Sequence, residues 1–380
     1  MVNFIQVFGS KYELLEKLAQ GGMAEVFLAR VTTGRAAHTR IAIKRILPQL
    51  TAQQEFIEMF LQEARLGALL SHKNIVQIHD RGRIGEYYFL AMEFVEGRTL
   101  RDLLVQTIRT RKTASYATVA RIAADIAAGL HYAHTAKDGD VPLKLVHRDI
   151  SPSNIIISFR GDVKITDFGL AKASQAIHQT AVGVVKGKCA YMSPEQVAGE
   201  RVDRRSDIFS LGVVLYELTT LTRLFVRENT QEAMDAIMLE PIPPPSSFVP
   251  DYPKILDRIV MHCLERDAND RYQDAATLQR DLERYLKDSK KDVSPAAVAA
   301  MLRRAFADSA QGNLPRIEAP AEQTGHSVLT HSALARRREM FYKQSKRPGS
   351  RIRSTEAIVL LALFVAFSLV SWIAAYFVFR

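Results

Sequence analysis

Short apolar runs separated by turn residues dominate the first hundred residues of the chain. Between residues 12 and 98 these runs include EVFLARV, TRIAIKRIL, NIVQIHDRGRI and EYYFLAMEFVEG. Such runs are typical of strands, and their short connections favour an antiparallel sheet. At about residues 53–70 the apolar positions change to helical spacing. This change predicts one helix within the strand-rich part.

From about residue 99 to 287 the pattern becomes mainly helical, for example in YATVARIAADIAAGLHYAH. A strand-rich lobe followed by a larger helical lobe predicts an α+β fold. Residues 288–330 then predict a partly helical connector, in which Ser294 caps a helix that begins at Pro295. The Pro-rich stretch 241–253 is interpreted as a loop between helices of the second lobe.

The last part of the chain has a different character. Residues 357–379 are 23 consecutive uncharged and mostly apolar residues. As a helix they would measure roughly 34 Å, enough to cross a bilayer core of about 30 Å. Residues 331–356 carry eight Lys or Arg against two Glu, which is +6 of the overall charge of +10. We therefore expect a basic juxtamembrane linker and a single-pass membrane helix, with residues 1–356 cytoplasmic and the C-terminus at the outer face.

The amino-acid composition limits the classes of protein to which the chain can belong. A hydrophobic fraction of 47% and a charged fraction of 24% are ordinary for a globular protein. Because the basic excess is concentrated beside the apolar span, we do not expect a nucleic-acid partner. The two cysteines, Cys189 and Cys263, are too few for a disulfide framework, so both are expected as free thiols in a reducing compartment.

Three features of the strand-rich lobe suggest phosphate chemistry only weakly when each is taken alone. Gly21 and Gly22 lie between strand-forming runs, where glycine would let the backbone approach a phosphate, although an ordinary hairpin turn fits as well. Lys44 stands on a strand, where most lysines are simply solvated. Glu63 lies in the inward stripe of the predicted helix, and a buried glutamate needs a partner. A boundary glutamate that reaches solvent is the alternative. The stripe itself comprises Phe56, Phe60, Gly67 and Leu70.

The stretches HRDISPSN and DFG concentrate groups that suit phosphoryl transfer. Asp149 can accept the proton of a substrate hydroxyl, while Asn154 and Asp167 offer hard oxygen ligands for Mg²⁺. Any one of these could be a turn residue. An ordered set of such motifs leaves almost no coincidental interpretation. The set comprises Lys44, Glu63, HRDISPSN, DFG and SPE.

With these motifs in place, residues 12–287 resemble a bacterial eukaryotic-like (Hanks-type) serine/threonine protein kinase. The resemblance implies a bilobal kinase fold, with an N-lobe at about 12–95 and a C-lobe at about 96–287. It also implies transfer of the γ-phosphoryl group of ATP to protein hydroxyls, with Mg²⁺, or Mn²⁺ in its place, as the metal. The expected partners are therefore protein substrates and ATP.

The resemblance also assigns roles to individual residues. Lys44 would pair with Glu63 and hold the α- and β-phosphates. Glu195 would pair with Arg271, and Asp207 would brace the backbone of the HRDISPSN loop. Simple charge compensation at a helix N-terminus is the other interpretation of Asp207. The positions implied around the nucleotide are Ala19, Gly21, Gly22, Ala24, Val26, Ala42, Lys44, Met92, Glu93 and Val95.

Two departures from the family pattern involve charge. Family members with a lysine at position 151 use it to neutralise the transferred phosphoryl group, and Ser151 cannot do so. Lys188 stands where the family usually has a threonine that contacts the catalytic Asp. We therefore hypothesise that Lys188 supplies the missing cation, against the alternative of a solvated surface lysine.

The resemblance further implies regulation through the segment after DFG. Arg148 matches the arginine that meets a phosphate on this segment in the family. The hydroxyl residues upstream of GKCAY are Ser174 and Thr180. Thr180 is predicted as the main autophosphorylation site, because a phosphate facing Arg148 would order the segment.

Two other functions remain open. The family pattern has glycine at positions 19, 21 and 24 of the glycine-containing loop, and here two of these are Ala19 and Ala24. These alanines, Ser151 and Lys188 would all fit a weakly catalytic pseudokinase scaffold. A tyrosine-specific kinase is a third alternative, because it also lacks the lysine at position 151. Two pairs of small residues in the apolar span, Ala362 with Ala366 and Ser371 with Ala375, are compatible with a homodimer for autophosphorylation in trans.

Overall fold

The computed structural model describes residues 6–51, 54–110, 114–168 and 189–307, without the side chains of Glu55, Met59 and Glu63. These ranges form a strand-rich lobe followed by a helical lobe, as the sequence predicts. The strands are β1 (Gln6–Phe8), β2 (Tyr12–Gln20), β3 (Ala24–Val31), β4 (Arg40–Ile46), β5 (Ile78–Ile84), β6 (Tyr87–Glu93), β7 (Gly97–Thr99), β8 (Lys137–Asp138), β9 (Val141–Pro142), β10 (Ile155–Ser158) and β11 (Val163–Ile165). The helices are α1 (Gln54–Ala68), α2 (Leu100–Thr110), α3 (Tyr116–Thr135), α4 (Pro194–Val197), α5 (Arg204–Thr220), α6 (Thr230–Leu239), α7 (Lys254–Cys263), α8 (Ala275–Ser289) and α9 (Pro295–Ala305).

The first lobe contains one antiparallel sheet with strand order β1-β2-β3-β4-β6-β5. Phe27, Ile43 and Phe89 belong to an apolar layer on one face of this sheet, and all three are almost completely buried. Burying a side chain of this size stabilises a fold by about 1.5–3 kcal/mol. This layer therefore holds the strands in the register that places the later site residues.

Helix α1 packs against residues of the same sheet. Phe60 and Ala64 of α1 contact a cluster that includes Leu90 of β6. A Cβ added at Gly67 would lie 2.4 Å from Cδ1 of Ile78. Glycine therefore lets the helix approach β5 this closely without displacing that side chain. Phe60 and Gly67 are both buried, which confirms this part of the inward stripe.

The second lobe is built around α5, which is buried along most of its length and around its whole circumference. Helix α5 packs against α3 and α7, and α3 packs against α8. Asp203 caps the first turn of α5 by accepting a hydrogen bond from the Arg205 amide. A polar side chain inside such a helix must find its partners within the protein. Asp207 lies in the first turn of α5 and is completely buried.

A second antiparallel sheet has the strand order β11-β10-β7, and α9 packs beside it. Ser294 caps α9 and Pro295 is its first residue, as predicted. Val298, Met301 and Leu302 of α9 are buried, and the helix packs against α2 and β10. The connector helix is therefore part of the folded second lobe.

Three further sequence predictions bear on the fold. Strand β1 precedes residue 12 and pairs with β2, so the first sheet begins before the predicted boundary. Cys189 and Cys263 are free and buried. Within the described ranges no helix has the length and apolar character needed to cross a membrane. The predicted linker at 331–356 and the predicted span at 357–379 lie outside the described residues.

Candidate active site

The glycine-containing turn connects β2 to β3 and is anchored at both ends. The Gly21 amide donates to the Ala24 carbonyl at 2.8 Å, and the Leu47 amide donates to the Met23 carbonyl at 3.0 Å. Gly21 and Gly22 are exposed. A Cβ added at Gly21 would meet only the Ala24 carbonyl oxygen, at 3.8 Å. Because the packing leaves room for a side chain there, close approach of a ligand explains the glycine better than the packing does.

An apolar cluster lies near this turn, where the two lobes meet. Ala42, Val76 and Met92 are buried together, and Val26 and Val95 pack against them. Ala42 and Met92 are paired across β4 and β6, so the sheet register brings them together. Largely apolar clusters with a few polar groups nearby are typical of ligand sites. Four of these five residues were predicted to surround the nucleotide, and Val76 was not.

Residues 93–96, called the hinge below, connect β6 to β7 and thus join the lobes. The Glu93 carboxylate pairs with the Lys164 ammonium of β11 at 2.9 Å. The Glu93 amide donates to the Gln77 carbonyl at 2.8 Å. The side chain and the amide of Glu93 are therefore engaged with the protein, so a base bound at this residue would contact its carbonyl group.

Lys44 projects from β4 and reaches the second lobe. Its ammonium donates to Oδ1 of Asp167 at 2.6 Å, and the lysine is only 6% exposed. The φ angle of Asp167 is +63°, a left-handed conformation that is uncommon for residues other than glycine. Asp167 thus has a strained backbone and a direct contact with the opposite lobe. Glu63, the predicted partner of Lys44, lies on α1, and its side chain is outside the described part of the structure.

The backbone of the HRDISPSN loop is held by Asp207. Oδ2 of Asp207 accepts a hydrogen bond from the His147 amide at 2.8 Å, and Oδ1 accepts one from the Arg148 amide at 2.7 Å. His134 of α3 lies at the same carboxylate, with Nε2 at 2.8 Å from Oδ2. Arg148 has a φ angle of +65°, so this anchoring stabilises a second strained residue. These two hydrogen bonds to the loop backbone confirm the prediction that Asp207 braces it.

The environment of Asp207 also fixes its charge. Complete burial by itself would raise the pKa of this carboxyl group. The hydrogen bonds from His134 and the His147 amide, together with the electrostatic effect of both imidazoles, outweigh burial and hold the pKa below its usual range. Asp207 is therefore ionised at neutral pH, the form in which both oxygens accept hydrogen bonds.

Asn154 positions Asp149. Nδ2 of Asn154 donates to the backbone carbonyl of Asp149 at 2.8 Å and to its Oδ2 at 2.9 Å. The Asp149 amide donates to Nδ1 of His147 at 3.2 Å. Because the amide nitrogen of Asn154 is turned to Asp149, its Oδ1 is the atom that remains for a cation. The Asp149 side chain is thereby oriented at the surface of the loop, where the residue is half-buried.

Ser151 is a buried, uncharged residue of the HRDISPSN loop. The residue is 3% exposed, and its Oγ has no hydrogen-bond partner among the described residues. An unsatisfied buried hydroxyl costs about 1–3 kcal/mol. Position 151 is thus occupied by a small buried side chain, and the loop itself supplies no lysine at this point.

The donors of Asn154 and Asp167 fit a Mg²⁺ ion. The Thr166 amide donates to the Asn154 carbonyl at 3.0 Å, which holds the two donor-bearing segments side by side. In the described ranges no cluster of three or more His, Cys, Asp or Glu could enclose a metal ion. Two hard oxygen donors are nevertheless what Mg²⁺ commonly takes from a protein, with water and substrate phosphates as its other ligands. The same donors suit Mn²⁺.

Residues 189–197 are fixed to α5 and to the HRDISPSN loop. The Tyr191 hydroxyl donates to Glu217 at 2.7 Å, and its carbonyl accepts from the Ser210 hydroxyl at 2.7 Å. Nε2 of Gln196 donates to the Arg148 carbonyl at 2.9 Å. The strained Arg148 is therefore held at its amide by Asp207 and at its carbonyl by Gln196.

The predicted pair of Glu195 and Arg271 is present. Two parallel hydrogen bonds of 2.8 Å join the guanidinium to the carboxylate, and Arg271 is 2% exposed. Burial would raise the pKa of Glu195, but the hydrogen bonds from Arg271 and Ser206 outweigh it and lower the pKa. Removing one partner of a buried pair leaves an uncompensated charge and typically costs about 3–5 kcal/mol. This pair therefore anchors the SPE motif to the second lobe.

A comparison with protein families agrees with this geometry. A model of the protein kinase domain matches residues 12–282, about the whole of both lobes up to α8. The chain belongs to the protein kinase family.

Several curated kinases are similar in sequence. Tyrosine-protein kinase MasK of Myxococcus xanthus is 41% identical over 81% of this chain and 48% of its own length. Serine/threonine-protein kinase PknB of Mycolicibacterium smegmatis is 34% identical over 87% of this chain and 52% of its own. Serine/threonine-protein kinase PknL of Mycobacterium tuberculosis is 35% identical over 72% and 65%. The chain thus spans about half the length of the first and second of these relatives.

A solved kinase structure has the same fold. The crystal structure of the Mycobacterium tuberculosis PknI kinase domain superposes with a TM-score of 0.55 at 25% sequence identity. The match covers 73% of this chain and 97% of the PknI domain. The strand-rich and helical lobes are therefore the N-lobe and C-lobe of a bilobal kinase fold.

The kinase fold brings together most of the residues predicted from the sequence. Lys44 and Asp167 are in contact, Asn154 holds Asp149, and the apolar residues cluster near the hinge. The functional roles of these residues remain predictions. The predicted residues outside the described ranges are Ser174, Thr180 and Lys188.

Three residues that organise the site were not predicted. Gln196 had a readable signal, because SPEQ fits the capping-box pattern and Ser193 and Gln196 form such a box. His134 is one of two histidines on α3, and its contact with Asp207 spans 73 residues. Lys164 lies on a short strand, and its partner Glu93 is 71 residues away. Neither of these two contacts has a local sequence signal.

Proposed function

We propose that the chain is an active protein kinase that transfers the γ-phosphoryl group of ATP to Ser/Thr hydroxyls of proteins. The observation that carries the proposal is the joint placement of the reacting groups. Asn154 holds the carboxylate of Asp149, while Lys44 of the N-lobe contacts Asp167 of the C-lobe. Each group that the reaction requires from these positions is present and oriented by a contact within the chain.

In this proposal each residue has one task. Asp149 accepts the proton of the substrate hydroxyl, because Asn154 fixes its Oδ2. Lys44 holds the nucleotide phosphates from the N-lobe side, close to Asp167. Asn154 Oδ1 and the Asp167 carboxylate would hold Mg²⁺, which neutralises charge that develops on the phosphates. Ala42, Met92 and Val95 would enclose the base.

The relatives differ in the acceptor residue that their names give. PknB and PknL carry serine/threonine-protein kinase names, whereas MasK carries a tyrosine-protein kinase name. The chain lacks the lysine at position 151 that many Ser/Thr kinases have, yet its segment before SPE contains Thr180 as an acceptor for phosphate. We therefore propose Ser/Thr as the main acceptors and Thr180 as the main autophosphorylation site.

The first prediction concerns catalysis itself. Purified wild-type protein incubated with ATP and Mg²⁺ should incorporate phosphate, and Asp149→Asn should reduce the rate by about 10²–10⁴-fold because it removes the proton acceptor. Phosphoamino-acid analysis should give phosphoserine and phosphothreonine, and site mapping should find Thr180.

The controls separate the alternatives. Glu58→Gln changes an exposed carboxylate on α1 and should leave incorporation unchanged. No incorporation by the wild type, with nucleotide binding intact, would support the pseudokinase scaffold instead. Phosphotyrosine as the main product would support the tyrosine-specific alternative, and stoichiometric phosphate elsewhere with Thr180 unmodified would reject the assigned site.

We further propose that Lys188 supplies the cation that position 151 lacks. Ser151 is buried and uncharged, so it cannot neutralise the transferred phosphoryl group. Lys188 lies immediately before the anchored residues 189–197, which approach the HRDISPSN loop through Gln196 and Arg148. A lysine at that point of the chain is close in sequence to a segment that contacts the catalytic loop.

The second prediction tests this relocated charge. Lys188→Met should lower kcat by about 10²-fold, the usual effect of losing one group that stabilises transition-state charge. Lys188→Thr should do the same although it restores the usual family residue. Addition of Ser151→Lys to Lys188→Met should recover part of the rate. An unchanged kcat in both single variants would reject the role of Lys188.

Membrane tethering is also a proposal, supported by residues 331–379. The apolar run at 357–379 and the basic linker before it favour a single-pass anchor with the kinase domain on the cytoplasmic side. The third prediction is that the full chain sediments with membranes and resists alkaline carbonate extraction, whereas the same chain without residues 357–379 is soluble. A full chain that carbonate releases would contradict the anchor.

A further inference from the structure

Helix α9 is attached to the second lobe by polar contacts at its C-terminal end as well as by its buried face. The side-chain amide of Gln106 on α2 donates to the Ala305 carbonyl at 2.9 Å, and Gln106 is itself buried. This bond satisfies a carbonyl at the helix end that has no partner within the helix. The chain therefore leaves α9 at a fixed point, next to α2 and the strand β7 that precedes it.

The same side of the lobe holds the C-terminal end of the hinge. The Phe159 amide donates to the carbonyl of Glu96, the last hinge residue, at 2.9 Å. Next to it, Gly97 of β7 pairs with Ser158 of β10. A Cβ added at Gly97 would lie 2.0 Å from the Ile157 carbonyl oxygen, so the two backbones touch directly. Phe159 is thus bonded directly to the backbone of Glu96.

Helix α9 contacts Phe159 as well. The Arg303 guanidinium donates to the Phe159 carbonyl at 2.6 Å. The Arg98 guanidinium lies near the ring of Phe159, at 6.0 Å from its centroid, and near that of Phe306, at 5.4 Å. Phe159 is therefore held by the hinge at its amide and by α9 at its carbonyl.

The turn between β10 and β11 fixes the other end of α9. Gly161 has a φ angle of +94°, and a Cβ added there would lie 1.8 Å from the Pro295 carbonyl oxygen. The first residue of α9 thus rests on the backbone of this turn. Pro295 and Arg303 lie near opposite ends of α9, so both ends of the helix contact the segment 159–161.

We propose that α9 is a brace for the hinge and that its docking sets the affinity of the kinase for nucleotide. Arg303 and Phe306 are the positioning residues, and they act through Phe159 and Arg98. This inference rests on the proposed function only in that the nucleotide binds beside the hinge. Helix α9 lies beyond the matched kinase domain, residues 12–282, so the brace belongs to this chain's connector.

The brace also has a link to the N-lobe. The Glu96 carboxylate pairs with the Arg40 guanidinium of β4 at 3.0 Å, and both side chains are exposed. Exposed pairs contribute little to stability because water screens them. The main path is therefore the backbone bond between Phe159 and Glu96, and loss of the Arg303 contact should change nucleotide affinity only several-fold.

Arg303 and Arg304 provide a matched pair of variants. Both are exposed arginines in the last turn of α9, so their replacement by alanine removes the same charge and has the same effect on helix propensity. Arg303 donates a hydrogen bond to Phe159, whereas Arg304 makes no side-chain hydrogen bond, ion pair or ring contact with the described residues. Any difference between Arg303→Ala and Arg304→Ala in the full chain therefore reports on the contact with Phe159.

The fourth prediction uses this pair. Arg303→Ala should raise the Kd for ATP and the KM for ATP roughly three- to tenfold, near the lower end of usual coupling between sites. It should leave kcat within about twofold, because the residues that act on the phosphoryl group are not moved. Arg304→Ala should match the wild type in all three quantities. Without nucleotide, hydrogen exchange at the Phe159 amide should be faster in Arg303→Ala alone.

A second pair of variants tests the other end of α9. Gly161 and Gly139 both have positive φ angles, but nothing lies within 4 Å of a Cβ added at Gly139. Alanine strains the backbone at either position, and at Gly161 it also displaces Pro295. Gly161→Ala should therefore raise the Kd for ATP relative to Gly139→Ala.

Each outcome decides the proposal. Equal Kd values and equal exchange for Arg303→Ala and Arg304→Ala would overturn the brace, as would a fall in kcat without a change in Kd. If the wild type binds no nucleotide, the proposed function fails. In that case hydrogen exchange at the Phe159 amide, compared between Arg303→Ala and Arg304→Ala, still shows whether Arg303 braces the hinge.

Discussion

The completely buried carboxylate of Asp207 is the constraint on which the rest of the site depends. Its oxygens accept hydrogen bonds from the amides of His147 and Arg148, and a hydrogen bond with His134 fixes the carboxylate itself. A loop with little regular secondary structure has no strand or helix to hold its backbone, so its geometry must come from such side-chain contacts. Asp149 follows Arg148 in the chain, so the position of its backbone is set by Asp207, which lies in the centre of the C-lobe.

The second requirement is that the two lobes present their groups to one volume. Lys44 reaches Asp167 across the lobes, while the Glu93–Lys164 pair fixes the start of the hinge and Phe159 fixes its end. The two ion pairs lie in partly buried places, where they are screened less than at the surface. The relation between the lobes thus depends on a few polar contacts, and α9, beyond the matched residues 12–282, adds a contact with Phe159.

The order of the lobes, the burial of Phe60 and Gly67 on α1 and the cap of α9 follow from local spacing in the sequence, and the Glu195–Arg271 pair follows from the resemblance to the kinase family. The sequence does not predict that His134 meets Asp207 or that Arg303 meets Phe159. Those pairs are 73 and 144 residues apart, and only the tertiary packing brings them together. The burial of Ser151 is likewise invisible in the sequence, which indicates only the loss of a lysine.

Residue-resolved hydrogen exchange of the wild-type protein tests most directly whether Asp207 anchors the catalytic loop. The amides of His147 and Arg148 lie outside any helix or strand, yet both donate to a buried, ionised carboxylate. The account predicts that they exchange as slowly as the amides inside α5, close to the rate of global unfolding. Exchange as fast as in the exposed β8–β9 hairpin would contradict it.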